Sequence, residues 1–204
     1  MTAVSPRSKG KEEGLIESFD GKEPRIAPSA YVHPLACVRG DVEIGEYAMV
    51  WPGAVITADA GTIRIGKCTI IEDNCSLHVG TYEDWLQTRP GFLEIGDFVT
   101  IGHGAVVHCR RIGNHSMIGM NAVVLQNAEI GESCVIAAGA VVPVGLKVPD
   151  RSFVAGVPAK IKSEIRKDQA YWVGEGFEED FSYYADYIRK LRESRRIGPS
   201  PIEG

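Results

Sequence analysis

The sequence has no run of eighteen apolar residues, so no segment is expected to span a membrane. It also has no CxxC pair. Its five cysteines, Cys37, Cys68, Cys75, Cys109 and Cys134, are odd in number and scattered. That pattern speaks against a cysteine zinc site or a disulfide framework and fits a reducing cytoplasm. A basic excess is missing too: 22 Lys and Arg against 27 Asp and Glu leave a formal charge of −5. Nucleic-acid modules usually carry the opposite balance. Aromatic residues make up only 8% of the chain, and the opening MTAVSPRSKGKEEG lacks the apolar stretch of a secretory leader. What is present, 44% hydrophobic and 24% charged residues with 23 Gly and 11 Pro over 204 positions, excludes a disordered chain and a coiled coil. The length suits about one domain with a short appendage.

An internal repeat organises the chain. Aliphatic residues recur every six positions at Ile26, Val32, Val38, Ile44, Val50 and Ile56, then after an offset at Ile65, Ile71 and Leu77. The series resumes at Ile95, Ile101 and Val107, drops one residue to Ile112, and continues Ile118, Val124, Ile130, Ile136, Val142, Val148, Val154. Neither a helix (period 3.6) nor an ordinary strand (period 2) accounts for this. Three short strands per turn do. Each hexad is then one wall of a triangular prism, with its aliphatic residue inward and stacked on the residue one turn of eighteen later. Parallel strands about 4.8 Å apart satisfy the backbone between turns. Glycine after many of these rungs, as in Ile44-Gly45, Ile112-Gly113 and Ile118-Gly119, is expected to permit tight corners. Twenty rungs give six to seven turns.

The flanks differ. Residues 1–14 read as a flexible tail, 15–162 as the prism with an inserted loop at 80–92, and 163–204 as a helical extension. In the extension Phe177, Phe181, Tyr184, Ile188 and Leu191 form a helical stripe. Glu178, Glu179 and Asp180 at its start and Arg192, Arg195 and Arg196 at its end suit the helix dipole. Such a helix is expected to pack on the outside of the prism or on a neighbouring subunit.

Three of the five histidines obey the period. His78 follows rung Leu77 and His108 follows rung Val107, thirty residues on. The step from Leu77 to Ile95 holds twelve residues more than a hexad, and TYEDWLQTRPGF within it has no rung. Without those twelve the spacing is eighteen, so His78 and His108 stack on adjacent turns of one face. His103, second after rung Ile101, leaves the preceding wall and can face that pair across a threefold contact. Three neutral imidazoles with open positions make a catalytic zinc site. Such a metal lowers the pKa of bound water to about 7 and supplies hydroxide at neutral pH. His33 and His115 fall outside the pattern and read as surface residues, and Trp51 reads as a corner filler. Cys75 and Cys109 read as packed thiols.

The stretch WPGAVITAD…SLHV…IGHGAVVHCRRIGNHSMIGMNAVV resembles the γ-class carbonic anhydrases of the hexapeptide-repeat proteins. The resemblance implies an all-β fold, a left-handed parallel β-helix, assembled as a homotrimer. It implies His78, His103 and His108 as ligands of zinc, or of iron or cobalt, at a subunit boundary. Two departures stand out. Where relatives carry an Arg-Gly-Asp-like triplet this chain has Thr57, Ala58 and Asp59, and where they carry Asn-Ile-Gln-Asp it has Ile70, Ile71, Glu72 and Asp73. Arg39 or Arg64 are the candidate replacements as partners of Asp59 and Asp73. Glu72 is expected to act as a general base and to disfavour an anion, which weakens carbon dioxide hydration. Glu72, Asp59 and Asp73 are therefore the candidate catalytic residues, with Glu83 or Asp84 as proton shuttle and Tyr82 and Trp85 as cover for the metal mouth.

Four functions compete. They are hydration of carbon dioxide to bicarbonate, and hydrolysis of an acyl-CoA as in the similar thioesterase of phenylacetate degradation. The others are acyl transfer, suggested by VAGVPAKI (Val154–Ile161), and a scaffold without catalysis.

Overall fold

The structure, a computed structural model, describes residues 15–79, 91–173 and 181–194. All twenty rung residues lie in strands. Eighteen of them are buried, while Ile26 and Val32, at the start, pack half-buried against the core. Most strands are two residues long, such as Tyr31–Val32, Thr100–Ile101 and Val123–Val124, because a hexad spends its other residues turning.

The register stacks rung on rung in three columns. One runs Ile16, Val38, Ile56, Leu77, Val107, Val124, Val142. A second runs Ile26, Ile44, Ile65, Ile95, Ile112, Ile130, Val148. The third runs Val32, Val50, Ile71, Ile101, Ile118, Ile136, Val154. Seven coils of a left-handed parallel β-helix result. The first coil gains Ile16, on strand Leu15–Glu17, ahead of the first rung expected from the sequence.

The breaks in the period are absorbed around one corner. Strands Cys37–Ile44 and Val55–Ile65 run through it and join two walls, with a register shift between Gly40 and Val42. Val55–Ile65 then pairs with both Ser76–His78 and Gly91–Ile95. The latter strand starts inside the segment 80–92 read as an insertion. A Cβ on Gly61 would overlap the carbonyl of Gly91, so this close approach requires glycine. Tyr82, Glu83, Asp84 and Trp85 lie outside the described residues.

The glycines after the rungs serve the corners by sparing space and not by adopting special dihedrals. Gly45, Gly102, Gly113 and Gly119 do not have positive φ. They are glycine because a Cβ there would lie 2.5–2.8 Å from the backbone of the next coil. The left-handed dihedrals fall three residues after the rung, on Tyr47, Cys68, Phe98, His115, Ser133 and Arg151 at one corner and on Asn74, Gly104, Asn121 and Gly139 at another.

The outward residues give each wall its character. The residues preceding the second column's rungs are Arg25, Glu43, Arg64, Glu94, Arg111, Glu129 and Lys147, and the register stacks them with alternating sign. Each opposite-charge cross-strand pair contributes roughly 0.2–1 kcal/mol, and a slip by one coil would oppose like charges. This wall belongs in water. The residues preceding the first column's rungs are instead Cys37, Val55, Ser76, Val106, Val123 and Val141. Val55 and Val106 are 41% and 40% exposed in the single chain.

At the far end an antiparallel hairpin, Ser152–Gly156 with Ala159–Glu164, closes the last coil, so VAGVPAKI forms the turn and flanks of a cap. Helix Phe181–Glu193 returns to the aromatic corner. Phe181 meets Tyr47 and Phe98, Tyr184 meets Phe98, and Tyr187 stacks on Trp51. Arg192 ties its end to the carbonyls of Pro28 and Ala30 at 2.9 and 2.8 Å. Phe177, Glu178, Glu179, Asp180, Arg195 and Arg196 lie outside the described residues. His115, read as a surface residue, stacks flat on Phe98 with ring centroids 5.1 Å apart. His33 accepts the Leu35 N–H at Nδ1, at 3.0 Å.

Four cysteines are buried and Cys37 is half-buried. Burial above all pushes the Cys75 thiol up to about 11 and the Cys109 thiol to about 12. At pH 8 a thiol of pKa 11 is thiolate in only about one molecule per thousand, and thiolate is the reactive form. In a native titration with an aromatic disulfide reagent at that pH, at most one thiol, Cys37, is expected to react promptly. All five should react in denaturant; prompt native reaction of three or more would contradict this packing.

Candidate metal centre

His78 and His108 follow rungs Leu77 and Val107, which pair directly. Both side chains therefore leave one wall on adjacent coils, and their ring centroids are 4.9 Å apart. His78 Nδ1 lies 3.3 Å from His108 Nε2. Burial first, and then the neighbouring His78, hold the His108 pKa below the ordinary imidazole value, which favours the neutral ring. The other edge of His108, Nδ1, lies 3.2 Å from the side-chain nitrogen of Gln126 on the next coil. Gln126 was missed in the sequence, although it stands one period, eighteen residues, after His108.

His103 sits at the corner between strands Thr100–Ile101 and Val106–Val107. The pairing of Ile71 with Ile101 sets Glu72 and Asp73 beside it. Its backbone N–H donates to Glu72 Oε2 at 2.9 Å, and its Nε2 lies 3.2 Å from that same oxygen. Its Nδ1 lies 2.9 Å from Asp73 Oδ2. Within one chain His103 does not join the other two histidines. Among the described residues no group of three potential ligands assembles in the single protomer.

The outward column that carries His78 continues downward through Thr57 and Arg39. Thr57 supplies no guanidinium, but Arg39 reaches up from the coil below. Its Nε donates to Asp59 Oδ1 at 3.0 Å, its Nη2 donates to Asp59 Oδ2, and its guanidinium lies over the Phe19 ring. Of the two candidate partners for Asp59, the structure selects Arg39. Arg64 is engaged with Asp41 and Glu43 on the charged wall, at 3.3 and 3.1 Å. Asp73 has the His103 ring in place of an arginine.

These donors suit a divalent first-row ion. Two nitrogens held about 2.0–2.1 Å from one tetrahedral zinc stand about 3.3 Å apart, the separation found between His78 and His108. On His103, donation from Nδ1 to Asp73 leaves a lone pair on Nε2, with a carboxylate oxygen 3.2 Å away. Two acceptors so placed need a proton or a cation beside them. Neutral imidazoles with a neighbouring carboxylate suit zinc, and iron or cobalt as well.

The bacterial transferase hexapeptide (six repeats) family matches residues 23–58 and 111–143. A probable carbonic anhydrase of Methanocaldococcus jannaschii is 47% identical over 134 residues, 66% of this chain and 79% of the relative. A carbonic anhydrase of Geobacillus kaustophilus is 34% identical over 181 residues, 89% of this chain and 94% of the relative. The mitochondrial gamma carbonic anhydrases 2 and 1 of Arabidopsis thaliana also match, but the chain spans only 57% and 38% of their lengths. Among solved structures, a putative acetyltransferase of Bacillus cereus superposes with a TM-score of 0.76 at 30% identity, covering 88% of this chain and 98% of that one. Rung periodicity, coil register and these identities agree, and the chain belongs to the hexapeptide-repeat family as a homologue of its γ-class carbonic anhydrases.

Proposed function

We propose that this protein is a homotrimeric, metal-dependent carbonic anhydrase of the γ type. His78 and His108 of one protomer and His103 of the next hold the ion, zinc in the first instance. The observation that carries the reading is the His78–His108 pair, with facing nitrogens 3.3 Å apart on the wall whose neighbouring column is apolar. Of the two walls compared, one is a ladder of alternating charge and the other presents Val55 and Val106 to solvent. An apolar patch beside incomplete ligands is where a second copy removes the most hydrophobic surface from water.

A zinc ion held by these histidines would supply a water acid enough to act as a nucleophile at neutral pH. The remaining roles fall to the chain. Asp73 orients His103 through Nδ1, in the carboxylate–histidine arrangement that fixes a ring for metal binding. Arg39 fixes Asp59 beside Thr57, so Asp59 and Asp73 act as positioning groups. Glu72, next to the metal-binding edge of His103, takes the proton released when water adds to carbon dioxide.

The test is metal analysis of the purified trimer together with stopped-flow hydration of carbon dioxide. One bound ion per protomer and zinc-dependent hydration support the reading; hydration indifferent to chelation overturns it. Hydrolysis of an acyl-CoA panel without hydration favours the thioesterase reading, and inertness in both assays favours a scaffold. A second reading, acyl transfer from coenzyme A, draws on the Bacillus cereus structure named a putative acetyltransferase. It predicts transfer that persists after the metal is stripped.

Glu72→Gln separates charge from proton transfer. The variant is expected to lower kcat for carbon dioxide hydration by ~10-fold or more, because the proton acceptor is lost, and to lower KM for bicarbonate, because one like charge a few ångströms away is gone. An unchanged or raised kcat would overturn the proton-accepting role of Glu72.

A further inference from the structure

We infer that Gln126 is a positioning residue for the metal centre: its side-chain oxygen accepts the Nδ1–H of His108 and so leaves the Nε2 lone pair of that ring to the ion. This rests on the metal-site reading above. A neutral imidazole has one N–H and one lone pair, and only the lone pair binds a metal. On His108 the Nε2 edge faces His78 at 3.3 Å, and the Nδ1 edge lies 3.2 Å from the Gln126 amide nitrogen, a position the amide oxygen takes when the group turns over. The amide therefore governs which edge carries the proton. With the Gln126 NH2 turned to the ring, Nδ1 accepts, the proton sits on Nε2, and His108 points an N–H at His78. With the carbonyl oxygen turned to the ring, Nδ1 donates and Nε2 is free. A half-turn of the amide exchanges the two atoms without moving the backbone, and which of them faces the ring is set by the hydrogen-bond network.

The fold puts Gln126 in reach for a definite reason. The His108 N–H donates to the Val124 carbonyl and the Arg110 N–H to the Ala128 carbonyl, so Cys109 alone stands opposite Gln126 and Asn127. The upper coil has one residue more at this corner, with Asn127 at φ 59°. From there the Gln126 side chain reaches back one coil to the His108 ring. His103 is held in the same manner, with Asp73 on its Nδ1 at 2.9 Å. His103 and His108 thus each have an Nδ1 partner on an adjacent coil that is not itself one of the three histidines.

The test compares Gln126→Glu, an acceptor only, with Gln126→Lys, a donor only, and Gln126→Leu, which is neither. Zinc affinity is measured by competition with a chromophoric chelator, and the His108 tautomer by nitrogen-15 NMR of the zinc-loaded protein. Gln126→Glu should bind zinc within threefold of the parent or tighter, whereas Lys and Leu should weaken it by roughly 10–100-fold, the usual effect of losing such a partner. The zinc-loaded parent should carry its His108 proton on Nδ1. Parent-like affinity in Lys or Leu, loss of affinity in Glu, or an unprotonated Nδ1 would overturn the inference while leaving the metal site standing. A parent protein that binds no zinc would remove the metal site itself and this inference with it. Thermal melting of each variant verifies the fold, and Leu carries the test if Lys does not fold.

Discussion

His108→Ala is expected to lose the proposed metal ion and to slow the proposed carbon dioxide hydration by ~10³-fold or more, about 4 kcal/mol of transition-state stabilisation. The reason is the ligand set. His78 alone on this wall leaves an ion with one nitrogen where two now stand 3.3 Å apart, and no other described histidine stacks in that column. The fold should survive, because the side chain points outward while rung Val107 beneath it stays buried. Inductively coupled plasma measurement of metal content, sedimentation velocity and stopped-flow hydration on the same sample decide the matter. A trimer that keeps its metal and its rate without this imidazole sinks the assignment.

Val106→Asp is expected to split the proposed trimer and, by doing so, to weaken metal binding by ~100-fold although no proposed ligand is altered. Val106 stands between Ser76 and Val123 in the apolar column and is 40% exposed in the lone chain. Covering an unpaired carboxylate there costs several kcal/mol per protomer, and threefold symmetry repeats the cost three times. The pair His78 and His108 would remain, but His103 of the neighbour would not be delivered. Val106→Ala, which removes two methyl groups and adds no charge, should stay trimeric. Sedimentation velocity and the chelator titration read both outcomes; a trimeric, fully metallated Asp variant would place the subunit contact on another wall.

Much of this protein was legible from its sequence because a solenoid is nearly one-dimensional. A residue and its successor one coil later are neighbours, so counting to eighteen, with twelve set aside for the insertion, was enough to pair His78 with His108. The same counting gave all twenty rungs. It failed where the chain departs from the period. The strand Val55–Ile65 runs through a corner and pairs with one strand below and two above, which a gap of nine between Ile56 and Ile65 did not disclose. The glycines after the rungs were legible as places without room for a side chain, but that the crowding comes from the next coil, far away in sequence, was not. The alternating charges and the apolar column were there to be counted as well, one position before each rung.

Composition, hexad spacing and the positions of the histidines by themselves determined the coil, its inward stack and the wall from which His78 and His108 project, because those follow from periodic translation along an axis. Only the tertiary structure decided that Arg39 grips Asp59, that His103 is held by Glu72 and Asp73, and that Gln126 meets the far edge of His108. Those contacts depend on how far a side chain reaches sideways from its coil and which edge of a ring it meets. Rotamers and corner widths set both, and a repeat period contains neither.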